Sequence, residues 1–206
     1  MAILTHADLG KFFTVLARRL PCPVKLIITG GIEAMLLGGT RPTGDIDFGL
    51  VVSKQQSKYM SEIEAELGAA AKQVSVAVQY STDLDRWSPV AIPEKKFKTL
   101  PYKHLGKLTV DLLDPRCWAV YKLARYLDSD VTDLAQVLKR QKVSWLGLAQ
   151  LCGECLRSSP RSPQLLLFRK QVEHFFREHG PTVWGKKFDS ERAVTVFHRA
   201  AKIHLS

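Results

Sequence analysis

Long apolar runs are missing from this sequence of 206 residues, although apolar residues make up 46% of it. No stretch approaches the roughly 20 apolar residues that a membrane-spanning helix needs. The sequence also lacks the amino-acid composition that is typical of collagen-like, low-complexity or disordered chains. Thr5 and Asp8 form a capping-box pattern before apolar residues at helical spacing, which predicts an amphipathic helix instead of a signal peptide. We therefore expect a cytoplasmic globular protein with a sizeable core.

Cysteine is scarce, with only Cys22, Cys117, Cys152 and Cys155 present. These four are too few and too clustered for the disulfide framework of a secreted protein of this length. The spacing of Cys152 and Cys155 is that of a zinc or redox pair, but no second pair accompanies it. We interpret both residues as helix-borne thiols of a reduced compartment.

Acidic residues become scarce towards the C-terminus. The sequence has 30 Lys and Arg against 20 Asp and Glu, a formal net charge of +10. Residues 139–206 hold 13 of these basic residues and 5 of the acidic ones, whereas residues 1–138 hold 17 and 15. Such an excess attracts polyanions by its field and by counterion release, so nucleic acid is a candidate partner. Solubility of the helix surfaces is the alternative explanation.

The hydrophobic periodicity changes near residue 114. Earlier residues alternate short apolar runs with helical patterns, whereas only helical periodicity follows Asp114-Pro115, a typical N-cap and first-turn pair. This predicts an α+β fold with a mixed sheet and flanking helices over 1–113, followed by a basic helical domain over 114–206. Predicted strands cover 24–29, 45–52, 74–80 and 107–113, with an edge strand near Phe97 in an irregular segment, 81–104. Predicted helices after the N-terminal one cover 32–37, 54–72, 116–127, 130–141, 145–157, 163–178 and 189–203.

The most informative residues are Asp45 and Asp47. Positions i and i+2 of a strand point to the same face, so both carboxylates project together, with Cα atoms roughly 6–7 Å apart. The repulsion between them favours a cation, and Mg²⁺ takes one or two protein carboxylates together with substrate phosphates. For an isolated Asp-x-Asp, a solvated strand end or a turn cap is the alternative.

Two neighbouring features favour the metal site. Gly30-Gly31 stands where the first strand meets a helix, and glycine there lets an anion approach backbone N–H groups at the positive end of the helix dipole. Asp111 lies within the apolar run of a later strand, where an acid suits a metal ligand or a catalytic base. The combination predicts a phosphate site beside a metal site.

These features resemble the nucleotidyltransferase superfamily, which includes polymerase beta, CCA-adding enzymes and kanamycin nucleotidyltransferases. The shared pattern is an apolar strand with a Gly-Gly turn, Asp-x-Asp on the next strand, and a later acid between apolar residues. The stretch from Gly30 to Asp47 is most similar to the small prokaryotic branch that contains the AbiEii-like toxins of abortive-infection systems. The resemblance covers residues 24–138 and implies a nucleotidyltransferase-like fold. The matching residues are Ile27-Ile28-Thr29-Gly30-Gly31, Gly39, Arg41, Thr43, Asp45-Ile46-Asp47 and Asp111.

The resemblance also implies roles for single residues. Asp45, Asp47 and Asp111 would be the catalytic acids and would hold two Mg²⁺ ions, with an NTP as substrate. Relatives carry a Lys and an Arg after the third acid and then an Asp-x-x-Asp-Leu segment. Many relatives have Ser where this chain has Gly31, so phosphate binding here would use backbone amides, Thr29 or Lys122. The further counterparts are Lys122, Arg125 and Asp130-Val131-Thr132-Asp133-Leu134, and the implied nucleotide-binding set is Gly30, Gly31, Thr29, Arg41, Lys122 and Arg125.

Some of these roles have alternatives. Lys122 and Arg125 share a helix face, so they hold the triphosphate or form a cationic surface paired with Asp128 or Asp130. Asp133 could orient one of those cations. Arg41 either contacts the nucleotide or braces the loop before the Asp pair.

The expected function is Mg²⁺-dependent transfer of a nucleoside monophosphate from an NTP to an acceptor hydroxyl. The basic C-terminal helices make RNA, including a tRNA end, the leading acceptor, and the toxin-like branch implies an antitoxin protein as a partner. A small-molecule acceptor, as in the antibiotic-modifying relatives, stays open. The alternatives from other classes are a catalytically silent nucleotide-binding protein and an RNA-binding regulator.

Overall fold

The computed structural model describes residues 3–84 and 88–203, so residues 85–87 of the predicted irregular segment lie outside the described residues. The predicted α+β class is confirmed, since a five-stranded mixed sheet is combined with many helices. The strands are β1 (Val24–Thr29), β2 (Asp45–Val51), β3 (Ala77–Ser81), β4 (Thr99–Leu105) and β5 (Leu108–Leu113). The helices are α1 (His6–Arg19), α2 (Gly30–Leu36), α3 (Met60–Val74), α4 (Pro115–Arg125), α5 (Asp128–Arg140), α6 (Trp145–Ser158), α7 (Pro163–His174), α8 (Gly180–Trp184) and α9 (Ser190–Ala201). None of the helices among the described residues is long and apolar enough to cross a membrane.

The chain divides into two compact units. The first consists of Met1–Leu36, Arg41–Leu84 and Thr99–Leu113, and the second of Leu37–Thr40, Asp85–Lys98 and Asp114–Ser206. The segments 37–40 and 85–98 therefore belong to the helical unit, although the sequence division placed them before residue 114.

In the first unit the strands follow the order β3-β2-β1-β5-β4. Strand β1 is antiparallel to β2 and parallel to β5, so the strand before the Gly-Gly turn lies between the strands that carry the acids. The face formed by Leu26, Ile28, Ile46, Phe48 and Val110 is buried and apolar. Because side chains alternate along a strand, the acids occupy the opposite face.

Local signals explain most element boundaries. Helix α1 begins at the predicted capping box, with the Asp8 backbone N–H donating to Thr5 Oγ1 at 3.2 Å. Helix α4 begins at Pro115, after the N-cap Asp114, whose carboxylate accepts from the Arg116 backbone N–H at 3.0 Å. It ends at Arg125, and the C-cap Tyr126 adopts a left-handed conformation.

Several predicted elements differ from the structure. The strand predicted over 74–80 begins later, because α3 extends to Val74 and β3 starts at Ala77, and the helix predicted over 54–72 begins at Met60, after a 3₁₀ turn. A 3₁₀ turn, Glu94–Lys96, precedes Phe97, and the edge strand β4 begins at Thr99, beyond that residue. The helix predicted over 163–178 is interrupted, because α7 ends at His174 and continues as a π-helical turn, Phe175–His179. Periodicity did not reveal this change because apolar residues continue through both segments.

The helical unit is closely packed between α6 and α9. A Cβ atom at Gly153 of α6 would lie 2.5 Å from Ala200 Cβ and 2.6 Å from the Phe197 carbonyl oxygen. The predicted thiols Cys152 and Cys155 flank this contact on α6, and all four cysteines are buried and form no disulfide. Burial raises the pKa of Cys152 well above its ordinary value, so its thiol is protonated at neutral pH.

Candidate active site

Asp45 and Asp47 lie on one face of β2, as the sequence predicts. Asp47 is the register partner of Thr29 at the end of β1, so the acid pair lies beside the strand that leads into the Gly-Gly turn. Both acids are half-buried. Their Cα atoms are about 6–7 Å apart for two residues of an extended strand. Two carboxylates at this spacing can contribute ligands to one divalent cation.

Neutral side chains hold the Asp45 carboxylate. Thr43 Oγ1 donates to Asp45 Oδ1 at 3.2 Å, and Gln79 Nε2 of strand β3 donates to Asp45 Oδ2 at 2.9 Å. No lysine or arginine among residues 3–84 and 88–203 lies within ion-pair distance of Asp45. Its negative charge is therefore oriented by hydrogen bonds but not neutralised by a neighbouring cation.

The Asp47 carboxylate lies against the backbone of Gly30. A Cβ atom at Gly30 would collide with Asp47 Oδ2, and the φ of +69° at Gly30 also disfavours an L side chain. Glycine is thus required at this turn by both conformation and space. The sequence predicts that Gly30 lets a phosphate approach the backbone, and this role stays a prediction. In the structure, the missing side chain of Gly30 makes room for the Asp47 carboxylate.

Arg41 and Thr43 border the second glycine of the turn. A Cβ atom at Gly31 would lie 3.0 Å from both Arg41 Nη2 and Thr43 Oγ1. Thr29 is nearly buried at the end of β1, opposite Asp47. The structure therefore brings together four of the predicted nucleotide-binding residues, Thr29, Gly30, Gly31 and Arg41, beside the acid pair. Arg41 supplies the cation of this group.

Asp111 faces the same side of the sheet but is separated from the pair. Its register partner on β1 is Ile27, whereas that of Asp47 is Thr29. One strand therefore lies between them, which places the two Cα atoms about 10 Å apart across the sheet and about 6–7 Å along it. Within the described residues, no three His, Cys, Asp or Glu side chains form a group that could hold a metal ion.

Asp111 already has close partners. Its Oδ2 atom lies 2.5 Å from Lys25 Nζ and accepts a hydrogen bond from Thr99 Oγ1 at 2.7 Å. The Asp111 side chain is 7% exposed, whereas that of Lys25 is 37% exposed, so the ammonium reaches the acid from the solvent side. The predicted role of Asp111 as a metal ligand or base stays a prediction, and it requires Lys25 to move.

Lys122 and Arg125 belong to the second unit and converge on acids of that unit. Lys122 Nζ lies 2.8 Å from Asp130 Oδ1 and 2.9 Å from Asp133 Oδ2, while Arg125 Nε and Nη2 donate to Asp130 at 2.8 and 2.6 Å. Both acids are fully buried, and the side chain of Lys122 is only 4% exposed. The nucleotide-binding role of Lys122 and Arg125 stays a prediction. Of the alternatives, the pairing with Asp130 is present, and Asp133 does orient Lys122.

Electrostatics favours the ionised form of Asp130. Burial of its carboxyl opposes ionisation, but the hydrogen bonds and charges of Arg125 and Lys122 outweigh burial and lower its pKa. The Leu127 backbone N–H donates a further hydrogen bond to Asp130 Oδ2 at 3.1 Å. Asp130 therefore caps helix α5 and also joins it to α4.

Sequence reasoning missed Gln79 and Lys25. Gln79 is the register partner of Asp47 on β3, and Lys25 reaches Asp111 from the neighbouring strand. Both contacts depend on strand order, which no local pattern encodes. The alternation of Val76, Val78 and Tyr80 around Gln79 could have placed it on one face of a strand, but not beside the acids.

The chain matches no protein-family profile, no curated protein and no solved structure. The resemblance to nucleotidyltransferases therefore rests on the motif residues alone.

Proposed function

We propose that this chain is a Mg²⁺-dependent nucleotidyltransferase that moves a nucleoside monophosphate from an NTP to an acceptor hydroxyl. The observation that supports it most is the arrangement of Asp45 and Asp47 on one strand face, with Gly30 packed against Asp47 and Arg41 at Gly31. This arrangement sets two carboxylates beside an arginine and a glycine turn, the groups that a metal-bound triphosphate needs. The nucleotidyltransferase-like fold belongs to this proposal.

In this proposal the acidic residues bind the metal, and the glycine backbone and the arginine bind the phosphates. Asp45 and Asp47 would hold Mg²⁺, which when bound would supply charge neutralisation of the triphosphate. The backbone of Gly30 and Gly31, with Arg41 and Thr29, receives phosphate oxygens. Asp45 suits the metal because its present partners are neutral donors, which a cation displaces without breaking an ion pair.

The transfer step forms a bond between the acceptor oxygen and the α-phosphorus. The bond from the α-phosphorus to the bridging oxygen breaks, and pyrophosphate leaves. Asp111 would join as a second-ion ligand or take the acceptor proton once the Lys25 ammonium has left its carboxylate. Lys122 and Arg125 have a smaller part, because their charges are already engaged by Asp130 and Asp133.

RNA is the proposed acceptor because residues 139–206 carry 13 basic and 5 acidic side chains. The antitoxin partner and the small-molecule acceptor derive from the resemblance alone. Truncating the chain before residue 139 would test the RNA role only if the remainder folds, since α5 belongs to the same unit as the removed helices. Salt dependence of RNA binding by the full chain is the safer measurement, and a flat slope would exclude this acceptor.

Replacing Asp47 tests the central claim. Asp47→Asn keeps the side-chain shape but removes a charge that binds Mg²⁺, so transfer should fall by a factor of about 100 or more. The melting temperature in EDTA should stay equal or rise slightly, because one of two adjacent charges is gone, while the stabilisation by Mg²⁺ and NTP should shrink.

Glu62→Gln is the matched control, since Glu62 is an exposed acid of the same unit on α3. The assay combines transfer of label from each α-labelled NTP to cellular RNA with thermal melts. Asp47→Asn labelling RNA at the wild-type rate would contradict the mechanism. RNA binding without any response to Mg²⁺ and NTP would support the alternative of an RNA-binding regulator.

A further inference from the structure

A polar cleft of about 150 Å³ lies within the second unit, away from the residues assigned above. It is bounded by the end of the 3₁₀ turn Glu94–Lys96 and the residues just after it, by the first turn of α4 and by one side of α6. Cys117 and Leu151 are its buried apolar lining residues. Its other lining residues are Lys96, Lys98, Arg116, Gly147, Gln150 and Glu154. This volume holds several waters, and therefore also a group as small as a phosphate.

Arg116 is oriented towards this cleft by Asp114. Arg116 Nε and Nη2 donate to the two oxygens of Asp114 at 2.9 and 3.1 Å, which fixes the plane of the guanidinium. The third nitrogen, Nη1, lies 3.6 Å from the place of a Cβ atom at Gly147. Nη1 therefore lies beside another lining residue of the cleft, and it donates to no atom among residues 3–84 and 88–203.

The paired groups around Arg116 are ionised at neutral pH. The hydrogen bonds that Arg116 donates to the Asp114 carboxylate raise the pKa of Arg116. Burial of the Asp114 carboxyl opposes its ionisation, but Arg116 and the nearby charge of Lys98 lower its pKa overall. Asp114 thus holds the Arg116 guanidinium in one orientation, and the N–H donors of Nη1 are left for a ligand.

The two lysines complete a positive cleft. Lys96 Nζ lies 3.1 Å from Glu154 Oε2, in a pair whose lysine side chain is 51% exposed. Lys98 is exposed and makes no ion pair with any residue that the structure describes. Counting Lys96, Lys98 and Arg116 against Glu154 and Asp114 leaves one positive charge in excess. Gln150 adds an amide that can donate or accept.

We propose that this cleft binds a phosphate group, presented by an RNA strand or by a small phosphate ester. Arg116 Nη1 and Lys98 Nζ would each donate to phosphate oxygens, with Gly147 lining the same cleft. The cleft is formed by residues of the helical unit alone. It therefore stands as a binding site whether or not the Asp45 and Asp47 site transfers nucleotides.

The test uses the full chain and inorganic phosphate as the probe. In nitrogen–proton correlation spectra, the Gly147 amide and the Arg116 Nε–H should shift saturably with phosphate but not with chloride at equal ionic strength. Lys98→Gln should weaken this binding about tenfold, because it removes one charge-assisted hydrogen bond. Lys170→Gln is the matched control, since Lys170 is an exposed lysine of the same unit outside the cleft.

Two results would overturn the proposal. One is the absence of saturable shifts at Gly147 and Arg116, and the other is equal weakening by Lys98→Gln and Lys170→Gln, which indicates diffuse charge. A second arm compares oligoribonucleotides of one sequence with and without a 5′-phosphate. A preference for the phosphorylated strand assigns the cleft to a terminal monoester, and equal binding that depends on Lys98 assigns it to the RNA backbone. Loss of transfer by Asp47→Asn leaves either result unchanged.

Discussion

The acids Asp45 and Asp47 are half-buried and lie beside neutral donors and a glycine backbone, whereas Asp130 and Asp133 are fully buried around Lys122. The resemblance implies that the acid pair and Lys122 belong to the same nucleotide site. In the first unit, the partners of Asp45 are neutral donors, so its negative charge is left for an added cation to neutralise. In the second unit, the cations and acids satisfy one another. A charged motif therefore indicates ligand binding only where its charge is not already balanced.

Removing the cation of the buried network should produce the largest loss of stability. Lys122→Met would remove the ammonium that contacts both buried acids, Asp130 and Asp133, and breaking such a pair costs about 3–5 kcal/mol of unfolding free energy. Urea unfolding measures it, with Lys139→Met on the exposed end of α5 as the control. A decrease in unfolding free energy below about 1 kcal/mol would contradict the structural role of Lys122. Weaker NTP binding without a loss of stability would instead support its role in nucleotide binding.

Of the positions around the acid pair, Gly30 should tolerate a substitution least. Gly30→Ala forces a Cβ atom onto the Asp47 carboxylate at φ +69°, so it should cost about 1–3 kcal/mol of stability and also weaken the response to Mg²⁺ and NTP. Gly68→Ala in α3 meets no atom within 4 Å and should stabilise by up to about 1 kcal/mol. Thermal melts with and without Mg²⁺ and NTP compare them. Equal behaviour of the two variants would mean that the turn tolerates a side chain.

Local sequence signals were sufficient for one part of the site and insufficient for the other. The shared face of Asp45 and Asp47 could be predicted from the two-residue period of a strand alone. The role of Gly30 could be predicted from its position between a strand and a helix. The Lys25 contact to Asp111 and the Gln79 contact to Asp45 needed the order β3-β2-β1-β5-β4, which arises from packing over the whole unit. The π-helical turn after α7 was missed for a similar reason, since its apolar residues fit helical spacing equally well.

The pH dependence of stability should identify Asp130 as part of the buried network. Its pKa is lowered by folding, so its contribution is present above the unfolded value of about 3.9 and is lost as pH falls through the lower folded value. Arg125→Met removes one cause of this lowering, and because Arg125 is 55% exposed the cost at pH 7 should be about 1 kcal/mol.

Urea unfolding of both proteins between pH 7 and pH 2 provides the measurement. The difference between wild type and Arg125→Met should be constant above pH 5 and should shrink once Asp130 becomes protonated. A difference that stays constant to pH 2 would show that Arg125 stabilises the protein through packing of its side chain instead of its charge.

The smallest expected effect concerns whether Asp111 shares the metal with the acid pair. Lys25→Met removes the ammonium that lies 2.5 Å from Asp111 while Thr99 continues to donate to that carboxylate. If Asp111 contributes to cation binding, the loss of a competing positive charge should tighten Mg²⁺ binding about threefold, as measured by Mg²⁺ titration of the NTP-dependent melting shift. Lys103→Met on β4 is the control, since Lys103 is exposed on the same sheet and has no acid partner among the described residues. Unchanged Mg²⁺ affinity in Lys25→Met would leave the cation to Asp45 and Asp47 alone, because a carboxylate one strand further away would then be too distant to contribute.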